Sequence, residues 1–361
     1  MRREENIVTD GREFFAAANS GNGFFSFYDK IFGREVIERR YLIKGGPGTG
    51  KSTFMRKIAD TALKSGVEVE RYRCSSDPAS LDGIIIGGRV AVIDSTAPHA
   101  EECELAGARD ILLDLGAFWN ADGLYFERDR IKALTEKKKR AYSLAYRFLS
   151  SAMQSDMASR ALLIPYVNTE RIRKIANRLT KGIVGDGGYE CRIGLSSAIG
   201  MKGRCRLDTY EAFAERRVYI EEHYGIGYLV LCAIADVARN RGCRISISYE
   251  PLAPEIPNLV LFEESKTLFA ICEPRKKGSV SIRRALDIGA LSKRQKNELK
   301  SKSRYARRIS EALISAATNE LRGAGDAHFE LEKIYRENMD FSALDRYTEK
   351  IIKEIIDFVK G

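Results

Sequence analysis

Gly45-Gly46-Pro47-Gly48-Thr49-Gly50-Lys51-Ser52-Thr53 decides how this chain is read. A glycine, four residues and then Gly-Lys-Ser is the spacing of a loop whose backbone wraps a phosphate. The flanks suit that reading. Arg40-Tyr41-Leu42-Ile43 in front reads as a short buried strand. Residues 53–64 behind read as a helix, with Phe54, Ile58, Ala62 and Leu63 on one apolar face. Glycines let the backbone curl so that its N–H groups point inward at phosphate oxygens. The positive end of the following helix adds to that field. Lys51 is then expected to reach the β- and γ-phosphates of a nucleotide, and the Ser52 hydroxyl to bind Mg²⁺.

A chain of 361 residues has room for two or three domains at roughly 150 residues each. Met1-Arg2-Arg3-Glu4-Glu5-Asn6 leads into no apolar stretch of the kind a secretion signal carries. The most apolar run, residues 229–235, is too short to span a bilayer. The seven cysteines show no Cys-x-x-Cys pair and no zinc-like Cys/His spacing, which fits reduced thiols. A cytoplasmic protein without membrane attachment is the expectation.

The sequence reads as though written twice. Glu38-Arg39-Arg40, the loop glycines Gly48 and Gly50, Ile58-Ala59-Asp60 and Gly66 recur as Glu215-Arg216-Arg217, Gly225 and Gly227, Ile234-Ala235-Asp236 and Gly242. Val67-Glu68-Val69-Glu70 pairs with Cys243-Arg244-Ile245-Ser246, and Val90-Ala91-Val92-Ile93 with Leu268-Phe269-Ala270-Ile271. The helical stretch from Thr169 mirrors the one from Phe341. Repetition on this scale fixes an architecture. It predicts an α/β protein of two tandem P-loop NTPase-like domains, residues 1–186 and 187–361, joined at the glycine cluster Gly185-Asp186-Gly187-Gly188. Each is expected to hold a mostly parallel sheet and to end in long helices.

The halves differ in chemistry. Where the first has Gly50-Lys51-Ser52, the second has Gly227-Tyr228-Leu229, so both the cation and the metal-binding hydroxyl are gone. Asp94, at the end of Val90-Ala91-Val92-Ile93, has the pattern of the Walker B aspartate that holds Mg²⁺ opposite Ser52. A turn or helix-capping aspartate has the same flanks. Cys272 stands at the matching place, so the metal ligand and the lysine are lost from the same half. Ser95-Thr96-Ala97-Pro98-His99 follows Asp94 with no adjacent carboxylate to orient water. His99 reads either as a γ-phosphate sensor and proton acceptor or as a structural histidine. Asp77 or Asp82 supplies the missing carboxylate, or Cys74-Ser75-Ser76-Asp77-Pro78 is simply a turn.

Residues 41–53, Cys74-Ser75-Ser76-Asp77 with Leu81-Asp82-Gly83, Asp94-Ser95-Thr96-Ala97-Pro98-His99, and Glu337-Asn338-Met339-Asp340-Phe341 together resemble a little-characterised bacterial family of P-loop ATPase-like proteins with a duplicated domain. The resemblance covers nearly the whole chain. It implies ATP binding and places Asp94 and His99 in the site, and it names no substrate. In such proteins the second domain often keeps its own phosphate loop, and Tyr228 departs from that.

The net charge of +10 is concentrated in residues 275–308, where Asp287 and Glu298 are the only acids. Nucleic acid or another acidic partner fits that stretch, and so do solvated helix faces. Two functional classes follow from Lys51, Ser52 and Asp94. One is a Mg²⁺-dependent ATPase, or a phosphotransferase acting on another acceptor. The other is a module in which bound ATP sets the arrangement of the halves.

Overall fold

The computed structural model describes residues 5–9, 11–98, 101–222, 225–273, 276–289 and 291–361. Strands Glu5–Ile7 (β1) and Arg12–Phe15 (β2) lead into a hairpin, Ala17–Ser20 (β3) with Gly23–Ser26 (β4). A short helix, Tyr28–Phe32 (α1), precedes Arg39–Lys44 (β5), the glycine loop and Lys51–Lys64 (α2). Val69–Arg73 (β6), Leu81–Ile86 (β7), Val90–Asp94 (β8) and Asp110–Asp114 (β9) follow. The first half ends in helices Ala121–Phe126 (α3), Arg128–Ala161 (α4) and Thr169–Leu179 (α5).

The second half runs Glu190–Ile193 (β10), a hairpin of Ser197–Gly200 (β11) and Gly203–Leu207 (β12), then Thr209–Phe213 (α6) and Arg216–Glu221 (β13). Tyr228–Asn240 (α7), Arg244–Glu250 (β14), Ala253–Phe262 (β15) and Thr267–Cys272 (β16) come next. Two long helices close it, Lys293–Glu337 (α8) and Phe341–Lys360 (α9).

The protein is α/β, and its sheets are mixed rather than mostly parallel. The first has the order β2-β6-β7-β8-β5-β9, and the second β10-β14-β15-β16-β13. β7 lies antiparallel between β6 and β8, and β15 antiparallel between β14 and β16. The reason is connection length. The turns at residues 74–80 and 87–89 are too short for the crossover that parallel neighbours need. Only β2/β6, β5/β8 and β5/β9 run parallel in the first sheet, and β10/β14 and β13/β16 in the second. The edge strands of the two sheets meet where Phe15 and Leu195 exchange backbone hydrogen bonds of 2.8 and 2.9 Å. Both hairpins fill the space behind that contact, in a core shared by Phe15, Ala18, Leu42, Leu195, Ala198 and Leu268.

The terminal helices are exchanged between the halves. α9 buries Leu344, Ile351 and Ile355 against Tyr41, Ile43, Phe54 and Ile58 of the first half. α5 buries Ile172 and Ala176 against Val230, Leu231 and Ile234 of the second. Each helix starts on a side-chain cap: Asp340 accepts from the Ala343 N–H at 2.9 Å, and Asn168 from the Arg171 N–H at 3.0 Å. α4 and α8 lie antiparallel along each other, pinned by Ser159 to Ser303 at 2.9 Å at one end and Arg130 to Glu330 at 3.5 Å at the other. Each half's sheet is therefore covered by helix from the other half. The glycine cluster at 185–188 serves a close crossing, since a Cβ on Gly185 would lie 2.2 Å from the carbonyl oxygen of Gly242. Among the described residues no helix is long and apolar enough to cross a membrane.

Candidate functional site

β5 is buried from Arg40 to Ile43 and ends at Lys44, where the chain leaves the sheet into the loop. Gly45, Gly48 and Gly50 have φ of 155°, 72° and 83°, a region that strains any residue with a Cβ. Thr49 is fully buried, and its hydroxyl donates to the Gly46 carbonyl at 2.9 Å, closing the curl. Pro47 is half-buried, and Thr53 is exposed on the first turn of α2.

Lys51 turns back into the loop. Its ammonium donates to the carbonyls of Gly45 at 3.1 Å and Gly46 at 2.8 Å, and lies 3.7 Å from Asp94 Oδ2. Asp94 ends β8 opposite Ile43, and its Oδ1 accepts from the backbone and hydroxyl of Thr96 at 3.0 and 2.6 Å. The Ser52 hydroxyl accepts from the Leu81 N–H at 3.0 Å, so the start of β7 sits directly against the loop. Lysine, serine and aspartate thus converge at the carboxyl edge of the first sheet.

Of the two further carboxylates, Asp77 is a turn residue. Its oxygens accept from the Ala79 N–H at 3.2 Å and the Ser80 hydroxyl at 3.1 Å. Asp82 is buried beside the site. Burial first, and then the charges of Asp82 and Asp94, push the Tyr28 hydroxyl well above the ordinary tyrosine range, which puts both carboxylates near one phenol. His99 lies outside the described residues.

The helix pair of the fold supplies groups that the sequence reading missed. A Cβ on Gly46 would meet the Tyr335 ring at 2.9 Å, and one on Gly48 the Glu332 carbonyl oxygen at 2.4 Å, so α8 crosses the mouth of the loop. Glu332 lies 3.4 Å from His328 Nε2, and that contact, opposed by burial and aided by Lys51, holds its carboxyl below the usual range. Lys138 of α4 is close enough to feel the charge of Lys51. No local pattern in residues 137–140 distinguishes Lys138 from its basic neighbours.

The loop of the second half is filled by its own chain. Glu222 is half-buried and accepts from the Gly227 N–H at 3.2 Å and from the N–H groups of Gly225 and Ile226. Burial pushes its carboxyl up, and those N–H groups and Arg160 oppose the rise without cancelling it. Arg160 of α4 donates to the Gly225 carbonyl at 3.0 Å and lies 5.2 Å over the Tyr228 ring. The N–H groups of residues 225–227 thus converge on a carboxylate. Comparing the halves by their loop glycines would have found it, since Glu222 falls opposite Gly45.

Among the described residues no three His, Cys, Asp or Glu side chains cluster to hold a metal unaided. Ser52 and Asp94 together suit Mg²⁺ only if phosphate oxygens complete the shell, the usual way that ion is bound. The later part of the basic stretch forms the first turns of α8, where Lys293, Arg294, Lys296, Lys300 and Arg304 are exposed, and residues 275 and 290 lie outside the described ones. Compared with known proteins, the chain matches no family model, no curated protein and no solved structure.

Proposed function

We propose that the protein binds ATP in the loop at residues 45–53 and is a Mg²⁺-dependent ATPase of the P-loop NTPase kind. The observation that carries this is Lys51, folded over a loop of three left-handed glycines and 3.7 Å from the carboxylate of Asp94. In that arrangement the loop N–H groups and Lys51 bind the β- and γ-phosphates. Ser52 and Asp94 hold the ion, directly or through water. Mg²⁺ supplies charge neutralisation at the phosphates. Its contact with Asp94 holds the Lys51 ammonium over the loop.

Two tandem P-loop NTPase-like units from one duplication fit the matched order and sense of strands in the two sheets. The reciprocal contacts at the hairpin tips support the same reading: Gly21 N–H to Leu252 O at 2.9 Å, and Met201 N–H to Ser76 O at 3.0 Å. The motif resemblance to the bacterial P-loop ATPase-like family points the same way. A second reading, in which ATP acts mainly as a switch, is favoured by α8 crossing the loop mouth. A nucleotide there bears directly on the helix pair.

Replacing Asp94 by Asn keeps the shape and removes the charge. Mg²⁺-dependent ATP turnover should fall at least about tenfold, a loss of roughly 1.4 kcal/mol of transition-state stabilisation. Steady-state phosphate release, with circular dichroism to verify the fold, measures it. Unchanged turnover in a folded Asp94→Asn protein would move the metal ligand to another carboxylate, with Asp82 the next to test.

A further inference from the structure

α4 presents one face to the carboxyl edge of the first sheet. Tyr142 donates to the Ser76 hydroxyl at 3.1 Å and Tyr146 to Asn19 Oδ1 at 3.0 Å, and Ala145, Leu149 and Ala152 are fully buried. Lys138 is one turn before Tyr142 and so shares that face. Lys137 and Lys139 are exposed, whereas Lys138 is half-buried. Among the described residues no carboxylate pairs with it, although Lys51 has Asp94 and two carbonyls. Its ammonium is pushed below the ordinary lysine range, first by burial and then by the charges of Lys51 and Lys139. Two ammonium groups brought together under partial burial are unfavourable unless an anion joins them.

The second half adds an independent observation. Met153 of α4 packs on Gly21 at the tip of the β3–β4 hairpin, and Gly325 of α8 packs on Met201 at the tip of the β11–β12 hairpin. The same register carries Lys138 onto Ser310, a buried residue hydrogen-bonded to Asp156. The half whose loop has Tyr228 for Lys51, and Ile271 in the strand register of Asp94, therefore also lacks this second cation.

We propose that Lys138 is a phosphate-binding residue that contacts the terminal phosphate of a nucleoside triphosphate held in the loop at 45–53. It rests on that loop being a nucleotide site. The triphosphate then joins three elements, β5, α2 and α4, whereas a diphosphate joins only the first two. Hydrolysis would remove that one contact between α4 and the loop, while the Tyr142 and Tyr146 hydrogen bonds remain.

The test compares wild type, Lys138→Gln, Lys138→Arg and Lys51→Ala by titration calorimetry with Mg²⁺-ATP and Mg²⁺-ADP. Lys138→Gln should weaken ATP about tenfold, the scale of one charge-assisted phosphate contact, and leave ADP within about twofold. Lys138→Arg should keep most of the preference for ATP. Without nucleotide the thermal midpoint of Lys138→Gln should not fall, because a like-charge contact has been removed. A residue that merely held α4 in place would lower that midpoint and weaken both nucleotides alike. Unchanged ATP and ADP affinity in Lys138→Gln, with binding lost in Lys51→Ala, would overturn the role of Lys138 and leave the nucleotide site standing. Equal weakening of both nucleotides would overturn the terminal-phosphate assignment. Wild-type protein that binds neither nucleotide would overturn both proposals.

Discussion

One ATP should bind per chain, and Lys51→Ala should remove it. The first loop offers its glycine backbone, the Lys51 ammonium beside Asp94, and the Ser52 hydroxyl. Losing the lysine leaves the β- and γ-phosphate charge poorly compensated. The expected cost is at least about a hundredfold in affinity, or roughly 2.7 kcal/mol. The second loop cannot make up the loss. The N–H groups of Gly225, Ile226 and Gly227 are already taken by Glu222, and a triphosphate would have to expel that carboxylate while bringing more negative charge than it removes. Tyr228→Ala should therefore leave the stoichiometry at one. It removes the ring beneath Arg160, a contact worth about 0.5–1 kcal/mol of stability. Titration calorimetry of the three proteins decides the matter. Two equivalents bound by wild type, or undiminished binding by Lys51→Ala, would place the working loop in the other half.

That loop was legible because its chemistry is local. Glycine spacing, the strand before it and most of the apolar face of α2 lie within residues 39–64, although Leu63, expected on that face, is exposed, and β8 running into Asp94 is equally compact. The sense of the sheets was harder. Val69–Arg73 and Leu81–Ile86 look the same as residues whether their neighbours run parallel or antiparallel, and only the short turns between them tell. The exchange of α5 and α9 left no mark at all. Leu344, Ile351 and Ile355 record a helix with one buried face, not which sheet buries it. Lys138 was hidden for a related reason, since a run of basic residues shows its charge but not which member turns inward. Groups delivered from distant segments of the chain are where local reading fails, and α4 and, from the other half, α8 bring such groups toward the first loop.

The pair Arg40–Asp110 should dominate the stability of the first sheet. Both side chains are buried, on paired positions of β5 and β9. Arg40 Nε donates to Asp110 Oδ1 at 2.8 Å and Nη2 to Oδ2 at 3.0 Å, a two-pronged geometry. Arg109 Nε adds a bond at 2.9 Å, and the N–H groups of Glu104 and Leu105 add bonds at 2.7 and 2.9 Å. Burial alone would push the Asp110 carboxyl up, but the two guanidinium groups and the backbone donors outweigh it and hold it far below the usual range. Asp110→Ala leaves the Arg40 guanidinium buried with no buried counter-charge, and should cost about 3–5 kcal/mol. The double variant Arg40→Met, Asp110→Leu removes both charges and should recover more than half of that loss, because neither ion is then stranded. The pH dependence has a definite sign. A carboxyl whose folded pKa is depressed stabilises the protein above its unfolded pKa of about 3.9, and that contribution fades only as the pH falls below it. The gap between wild type and Asp110→Ala should thus be constant from neutral pH down to mild acid and narrow only in strong acid. Urea unfolding midpoints across that range measure it. An Asp110→Ala protein within about 1 kcal/mol of wild type would mean that water reaches Arg40 and that the pair is no more than a surface ion pair.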